Sequence, residues 1–271
     1  MAGAAEYSLS QKASAEFIGT FSIVFFGAGA VAIDLITTPE AAETQQFTVD
    51  GLGLGTLGWT GLAIAFFGAV GIPIYLLGHV SDQHISPAVT IAFWTTGRIE
   101  TTPALAYVGA QLAGGTVAGL LFVGVRGTEA VTVGGMGATV AFPGVAQWQA
   151  ALNELIITFF LMFTIMAMTV DERTPDEFAG LAIGFVIAIG VLTTGNISGA
   201  SFNPARTFGP YLTNTLFGGD FLWQQLWIYI VGPTVGAILG ASLYERLVLD
   251  PVALKRNTDN SLTDIEQGKD P

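Results

Sequence analysis

Six apolar stretches divide this 271-residue chain, and each is long enough to cross a lipid bilayer. They lie at residues 14–36, 56–78, 102–125, 149–170, 178–195 and 222–248. Because an α-helix rises about 1.5 Å per residue, roughly 20 apolar residues span the ~30 Å hydrocarbon core of a membrane. The sequence therefore predicts an all-α membrane protein with six transmembrane helices.

The composition agrees with a bilayer environment. Charged residues make up 11% of the sequence and the mean hydropathy is +0.61, whereas soluble domains carry about 25% charged residues. The formal net charge is −12, which argues against a nucleic-acid partner because phosphate binding needs a basic surface. The absence of cysteine from the sequence excludes disulfides and thiolate metal sites, and we expect neither a metal nor another cofactor.

Lysine is scarce among the basic residues. Three of the nine are lysines, namely Lys12, Lys255 and Lys269. An acidic excess with little lysine is typical of proteins in high salt, where screening weakens the repulsion between like charges. We therefore expect a halophilic source, and the alternative explanation is an ordinary acidic tail.

The basic residues also predict the orientation. With six spans both termini lie on one side of the membrane, which then holds Lys12, Arg98, Arg173, Arg246, Lys255, Arg256 and Lys269. By the positive-inside rule this side is cytoplasmic. We expect a cytoplasmic segment at 1–13, a cell-membrane domain at 14–248 and a polar, disordered cytoplasmic tail at 249–271, with the acidic segment 37–56 as an outside loop.

The two halves of the chain repeat, over about 14–125 and 149–248. Glu16 in the first span corresponds to Glu154 in the fourth. Two later motifs recur at a spacing of 117 residues: Gly78 to Ser81 with Gly195 to Ser198, and Ser86, Pro87 and Ala88 with Asn203, Pro204 and Ala205. Because each half has three spans, the second copy must be inverted in the membrane, and inverted repeats place a site at the midplane.

Ser86 and Asn203 each begin a short apolar segment. About ten residues of helix reach only ~15 Å, so the two segments together would make one span. Serine and asparagine are good helix N-caps, and the prolines that follow suit the first helical position. We therefore predict two re-entrant half-helices whose positive N-terminal dipole ends meet at the membrane centre and oppose cations and protons. The competing interpretation is a pair of interfacial loops without a pore.

These residues carry a family resemblance. Segments 78–90 (GHVSDQHISPAVT) and 198–210 (SGASFNPARTFGP) resemble the two signature loops of the major intrinsic proteins, the aquaporin family. With Glu16, Glu154 and residues 227–233, the resemblance covers nearly all of 14–248. It implies a six-helix bundle with two half-helices, usually a homotetramer, in which each subunit passes water or small uncharged solutes and excludes ions and protons.

The first motif departs from the family pattern. Ser86 stands where the family usually has asparagine. A serine hydroxyl can accept from an N–H group of the cap and donate to the lumen, but it offers one donor where a carboxamide offers two. We expect permeation to survive and the exclusion of protons to be weaker.

The resemblance also implies four residues at a selectivity filter, which are Phe66, Val191, Ala200 and Arg206. An arginine in so apolar a segment is expensive and indicates a function, although snorkelling to the interface is the alternative. Water-selective members usually have histidine where Val191 stands, so we expect a wider filter that could also pass glycerol, urea or ammonia. Thr207 stands where aquaglyceroporins usually have aspartate, which favours the water-conducting branch.

Four polar residues are candidates for supporting the loops. Glu16 and Glu154 could relay protons, but buried acceptors that brace loop backbone are the favoured interpretation. His79 and His84 with Asp82 form a weak metal pattern, because a third firm ligand is missing. The resemblance instead implies a structural role for both histidines near the cytoplasmic vestibule.

Three other functions remain open at this stage. A secondary transporter can also have inverted repeats and broken helices, but it normally has a carboxylate at its midplane site. An intramembrane enzyme would need a nucleophile–base pair or a metal set. A structural membrane protein with a closed pore is the third alternative.

Overall fold

The computed structural model describes residues 7–37, 57–220 and 222–249. Within these ranges six helices are long and apolar enough to cross a membrane, so the prediction of an all-α protein with six spans is confirmed. The spans are α1 (Leu9–Ile36), α2 (Gly58–Ser81), α4 (Thr101–Arg126), α5 (Gln147–Val170), α6 (Asp176–Ser198) and α8 (Trp223–Leu249). The predicted outside loop at 37–56 and the polar tail lie almost entirely outside the described residues.

Two shorter helices lie between the spans in the described part of the chain. They are α3 (Pro87–Thr95), after the second span, and α7 (Pro204–Leu216), after the fifth. Each has proline at the start of the helix, where a missing N–H costs no hydrogen bond. Between α4 and α5 the chain forms two brief turns, Glu129–Thr132 and Gly135–Gly137.

The repeat is visible in the packing. Helix α1 packs on α4 in the first half, and α5 packs on α8 in the second, while α2 and α6 contact each other across the halves. The half-helices are exchanged, because α3 packs on α8 and α7 packs on α4. This exchange ties the two halves into one bundle and places the start of each half-helix inside it.

Glycine permits the close helix contacts at equivalent places. A Cβ atom on Gly114 of α4 would lie 2.4 Å from the Phe17 carbonyl oxygen of α1, and one on Gly236 of α8 would lie 2.2 Å from the Leu155 oxygen of α5. Small residues at helix crossings let backbones approach in membranes, where packing rather than water expulsion drives association. These two glycines therefore set the same close crossing in both halves.

Candidate functional site at the centre of the bundle

The loops before the half-helices share an unusual backbone conformation. Left-handed φ angles occur at corresponding positions: Asp82 (63°), Gln83 (45°) and Ile85 (44°) in the first loop, and Gly199 (81°), Ala200 (44°) and Phe202 (57°) in the second. For residues other than glycine this conformation costs on the order of 1–3 kcal/mol, so the surroundings must hold it in place.

Glu16 holds the first loop. Its carboxylate accepts hydrogen bonds from Ser81 Oγ (2.8 Å), the His84 N–H (2.9 Å) and the Ile85 N–H (2.6 Å). A fourth donor is Gln111 Nε2, at 2.7 Å from Oε2. The side chain of Glu16 is fully buried, and its oxygens bind loop N–H groups, an arrangement that favours the bracing role over a proton relay.

Glu154 holds the second loop in the same way. It accepts from Ser198 Oγ (2.6 Å), the Ser201 N–H (2.8 Å) and the Phe202 N–H (2.9 Å). These three donors correspond one by one to those on Glu16, at the spacing of 117 residues that the sequence repeat shows.

Each loop has a further support that the sequence analysis did not identify. The Tyr107 hydroxyl donates to the Ser81 carbonyl (3.2 Å), and the Tyr229 hydroxyl donates to the Ser198 carbonyl (2.7 Å). Ser81 and Ser198 lie in the repeated motif, so the sequence repeat predicts that they are equivalent. Tyr229 lies in segment 227–233, which carries part of the resemblance, whereas nothing local marks Tyr107. The contacts of both tyrosines could not be read from the sequence, because they reach the loops from the third span of each half.

Asn203 joins the two loops. Its Oδ1 atom accepts from the Ala205 N–H (2.9 Å) and the Arg206 N–H (3.3 Å) and so caps α7, as its residue type predicts. Its Nδ2 group donates to the Ile85 carbonyl in the first loop at 2.6 Å. The N-termini of the two half-helices therefore lie next to each other inside the bundle.

Ser86 does not act as the sequence analysis expected. It occupies the cap position of α3 with extended backbone, but its side chain makes no cap hydrogen bond. Within the described residues Ser86 Oγ is buried and has no hydrogen-bond partner. The expected acceptance from an N–H of the cap is therefore corrected: the serine side chain is one group shorter than asparagine and does not fold back to those N–H groups.

Two cavities meet at Phe66. The inner one is lined by Ser86, Asn203 and Ala200, by further polar residues that include Gln83 and His84, and by apolar side chains. The outer one is lined by Val191 and Arg206 among others. Phe66 lines both cavities, so the four filter candidates lie around the boundary between the two cavities, here called the passage.

Arg206 is buried beside this passage. Only 1% of its surface is exposed, and its Nη1 atom donates to the Gly137 carbonyl at 2.8 Å. Its guanidinium carbon lies 5.1 Å from the centre of the Phe66 ring, within the range of a cation–π contact. The arginine therefore does not snorkel to the interface, and the alternative interpretation of this residue is wrong.

A chain of buried hydroxyl groups at the start of α7 was not predicted from the sequence. The Thr207 hydroxyl is 2.8 Å from that of Thr139 and 2.7 Å from that of Ser201, and Ser201 Oγ donates to the Asn203 carbonyl at 2.9 Å. The Tyr211 hydroxyl donates to the Thr139 carbonyl. The segment after α4 is thus bonded to the start of α7.

The two histidines have different surroundings. His84 is buried, its Nδ1 atom lies 3.2 Å from the Thr90 hydroxyl, and its ring stacks against Phe93. His79 is exposed near the end of α2 and contacts the Tyr7 ring edge-on, so the structure does not bring it to the loop. In the described ranges no group of three or more histidine, cysteine, aspartate or glutamate residues is arranged to hold a metal ion.

Comparison with known proteins gives consistent matches over most of the chain. The model of the family described as major intrinsic protein matches residues 4–244. Aquaporin AqpM of Methanothermobacter thermautotrophicus is 48% identical over 242 residues, covering 89% of this chain and 98% of the relative. Aquaporin NIP1-1 of Zea mays is 39% identical over 238 residues, covering 86% and 73% of the two chains. The X-ray structure of the aquaglyceroporin from Plasmodium falciparum matches with a TM-score of 0.73 at 25% identity and covers 91% of this chain and 100% of that one.

Proposed function

We propose that this chain conducts water, passes small neutral solutes such as glycerol, urea and ammonia, and excludes ions and protons. The chain belongs to the major intrinsic protein family and is a membrane channel for water or small solutes. The observation that carries this proposal is the passage between the two cavities, where Phe66, Val191, Ala200 and Arg206 lie. Channels of this kind are not enzymes, and the proposal involves no catalytic step.

The charge arrangement supports the exclusion of cations. The N-termini of α3 and α7 meet through the bond from Asn203 to the Ile85 carbonyl, so the positive ends of two helix dipoles face the same point. The guanidinium of Arg206 adds a full positive charge beside Phe66. Such a field opposes a permeating cation and leaves a neutral solute largely unaffected.

The side chains at the passage support a broad range of neutral solutes. Phe66 is the only bulky uncharged member of the four, whereas Val191 and Ala200 are small. The fixed donors of Arg206 can hold the oxygen of a solute, and the apolar side chains admit its carbon atoms. This combination suits small polyols and urea as well as water.

Stopped-flow light scattering on reconstituted vesicles tests the proposal. Vesicles are challenged with sucrose, glycerol and urea, with Arg206→Ala and Val191→His measured beside the parent. We expect fast water flux and measurable glycerol and urea flux from the parent, and a shift toward water alone in Val191→His because the larger side chain narrows the passage. Water flux no faster than that of empty vesicles would count against the proposal.

The assembly and orientation follow as part of the same proposal. We infer a homotetramer with one pore in each subunit, embedded in lipid through the apolar outer faces of the spans. We infer that both termini are cytoplasmic. With six spans, Lys12, Arg98 and Arg173 lie on the same side as the termini, and basic residues favour the cytoplasmic side. The acidic excess with little lysine supports a high-salt environment.

A further inference from the structure

The two halves of the site differ in the hydrogen bonds that the carbonyl before each half-helix cap accepts. In the first loop the Ile85 carbonyl accepts from Thr20 Oγ1 at 3.2 Å and from Asn203 Nδ2 at 2.6 Å. Thr20 lies one turn after Glu16 on α1. One hydroxyl and one carboxamide therefore satisfy this carbonyl.

The second loop has the corresponding groups without the corresponding bonds. By the repeat, Phe202 corresponds to Ile85, Thr158 to Thr20 and Ser86 to Asn203. Thr158 is fully buried and Ser86 is 4% exposed, and within the described part of the chain the hydroxyl oxygens of both have no hydrogen-bond partner.

The first N–H groups of α3 also lack a hydrogen bond to the side chain of the cap residue. The N–H groups of Ala205 and Arg206 bond to the side chain of Asn203 at the start of α7, whereas the equivalent groups of Ala88 and Val89 have no side-chain acceptor at Ser86. By the repeat, these are the groups whose counterparts bond to the Asn203 side chain or to the Ile85 carbonyl in the other half.

Unpaired buried polar groups are costly. Leaving one buried donor or acceptor unsatisfied costs about 1–3 kcal/mol, and buried polar groups are nearly always paired with protein or ordered water. A single water molecule, which takes ~30 Å³ in the liquid, offers both donors and acceptors, as the missing carboxamide would.

We propose that a resident water molecule is bound beside Ser86, between the N-terminus of α3 and the Phe202 carbonyl, and replaces the amide group found at Asn203 in the other half. It accepts from the N–H groups at the start of α3, donates to the Phe202 carbonyl, and bonds to Ser86 Oγ. The centre of the channel is thus built from one fixed carboxamide and one serine–water pair. The placement of this water along the conduction path depends on the proposed function, but its binding does not.

A high-resolution structure of the reconstituted parent protein tests the site directly. We expect ordered water within about 2.6–3.2 Å of both Ser86 Oγ and the Phe202 oxygen. In Ser86→Asn we expect the amide to take this place and the water to be absent. Direct bonding of Ser86 Oγ to a protein group, or no ordered water between Ser86 and Phe202 in the parent, would overturn the proposal.

A matched pair of threonine variants adds a second readout that does not depend on folding of Ser86→Asn. Thr20→Val removes a hydroxyl bonded to the Ile85 carbonyl, whereas Thr158→Val removes its counterpart in the second half. The parent water should persist in Thr20→Val, because that variant removes none of the groups to which the water bonds. Loss of the water in Thr20→Val would contradict its assignment to the site between Ser86 and Phe202.

Flux measured on the same preparations separates this proposal from the proposed function. If vesicles show no water flux while the ordered water is present, the channel proposal fails and the water site stands. If flux is fast and the ordered water is absent, the water site fails and the channel proposal stands.

Discussion

The guanidinium of Arg206 and the ring of Phe66 face each other at 5.1 Å, and both side chains are almost fully buried. The Phe66 ring also lies against Gly27 in α1, where an added Cβ atom would come within 2.5 Å of the ring carbon Cε1. The position of this ring, and with it the width of the passage, thus depends on a glycine that does not line either cavity.

Replacing Gly27 with alanine should narrow the passage. The new methyl group would push the Phe66 ring away from α1, and a ring displaced at the junction of the cavities obstructs larger solutes more than water. We expect glycerol flux to fall about fivefold, equivalent to ~1 kcal/mol of added barrier, with a smaller change in water flux. Stopped-flow measurement of both fluxes checks this expectation.

Gly109→Ala is the matched control for that change. Gly109 lies in α4 with nothing within 4 Å of the position of an added Cβ atom, so both fluxes should stay at the parent values. An equal loss of water and glycerol flux in Gly27→Ala would indicate general damage rather than a moved ring.

Thr207 should affect both stability and selectivity. Thr207→Val keeps the shape of the side chain but removes the hydroxyl between Thr139 and Ser201, leaving two buried hydroxyls each short of a partner. We expect a loss of about 1–3 kcal/mol in stability and a higher ratio of glycerol to water flux, because the backbone that carries Ala200 is less firmly held.

Thr207→Ser retains the hydroxyl and serves as the comparison. It should keep the parent selectivity, with at most a modest loss of stability from the missing methyl group. Thermal unfolding in detergent and the flux ratio in vesicles provide the two measurements. A valine variant that matches the serine variant in both would show that the hydroxyl chain does not position the loop.

Asp171, at the end of α5, makes the stability depend on acid pH. Hydrogen bonds from Arg173 Nε (2.7 Å) and Nη2, and from the Tyr244 hydroxyl (2.8 Å), lower the pKa of the Asp171 carboxyl below its ordinary value. A carboxyl with a lowered folded-state pKa stabilises the protein above the ordinary pKa of about 3.9, and this contribution is lost as the pH falls through the folded-state value.

Asp171→Asn should therefore lower the thermal unfolding temperature at pH 7 and flatten its decline below about pH 4. Asp176→Asn, an equal change of charge at the exposed first residue of α6, should leave the parent pH profile intact. Parallel profiles for the parent and Asp171→Asn below that pH would mean that the interaction contributes nothing to the acid dependence.

Much of the fold could be predicted because it depends on length, polarity and repetition. The apolar stretches predicted the six spans, and Asn203 with the proline that follows it predicted a capped half-helix. The start of α1 was placed five residues late, at 14 rather than Leu9, because hydropathy overlooks a polar first turn. A readable signal was present: Ser8 and Gln11 form a capping box, with bonds of 2.9 Å and 3.3 Å.

The missing parts of the site depend on contacts between distant segments. Gln111 reaches Glu16 from 95 residues away, and Tyr229 reaches Ser198 from another helix. No local pattern around Gln111 or Tyr229 identifies these partners, so only the packing of α4 and α8 assigns them a role. The repeat gave the equivalence of Ser86 and Asn203, but it could not show that the shorter side chain leaves its half-helix without a cap bond.

Ser86→Asn should reduce proton leakage through the channel. The carboxamide of asparagine, bonded to the N–H groups of the half-helix as in Asn203, presents a fixed donor to the lumen. A serine hydroxyl can rotate and act as donor or acceptor, so a water chain beside it can reverse its direction more easily. We expect proton conductance to fall by about tenfold, which corresponds to ~1.4 kcal/mol of barrier, with water flux retained.

A pH-sensitive dye inside the vesicles measures the conductance, and Ser86→Ala, which lacks the hydroxyl as well as the amide, separates the effects of the two groups. If the parent leaks protons and asparagine does not reduce the leak, then Ser86 is not the group that weakens exclusion, and the barrier must depend on Arg206 and the helix dipoles.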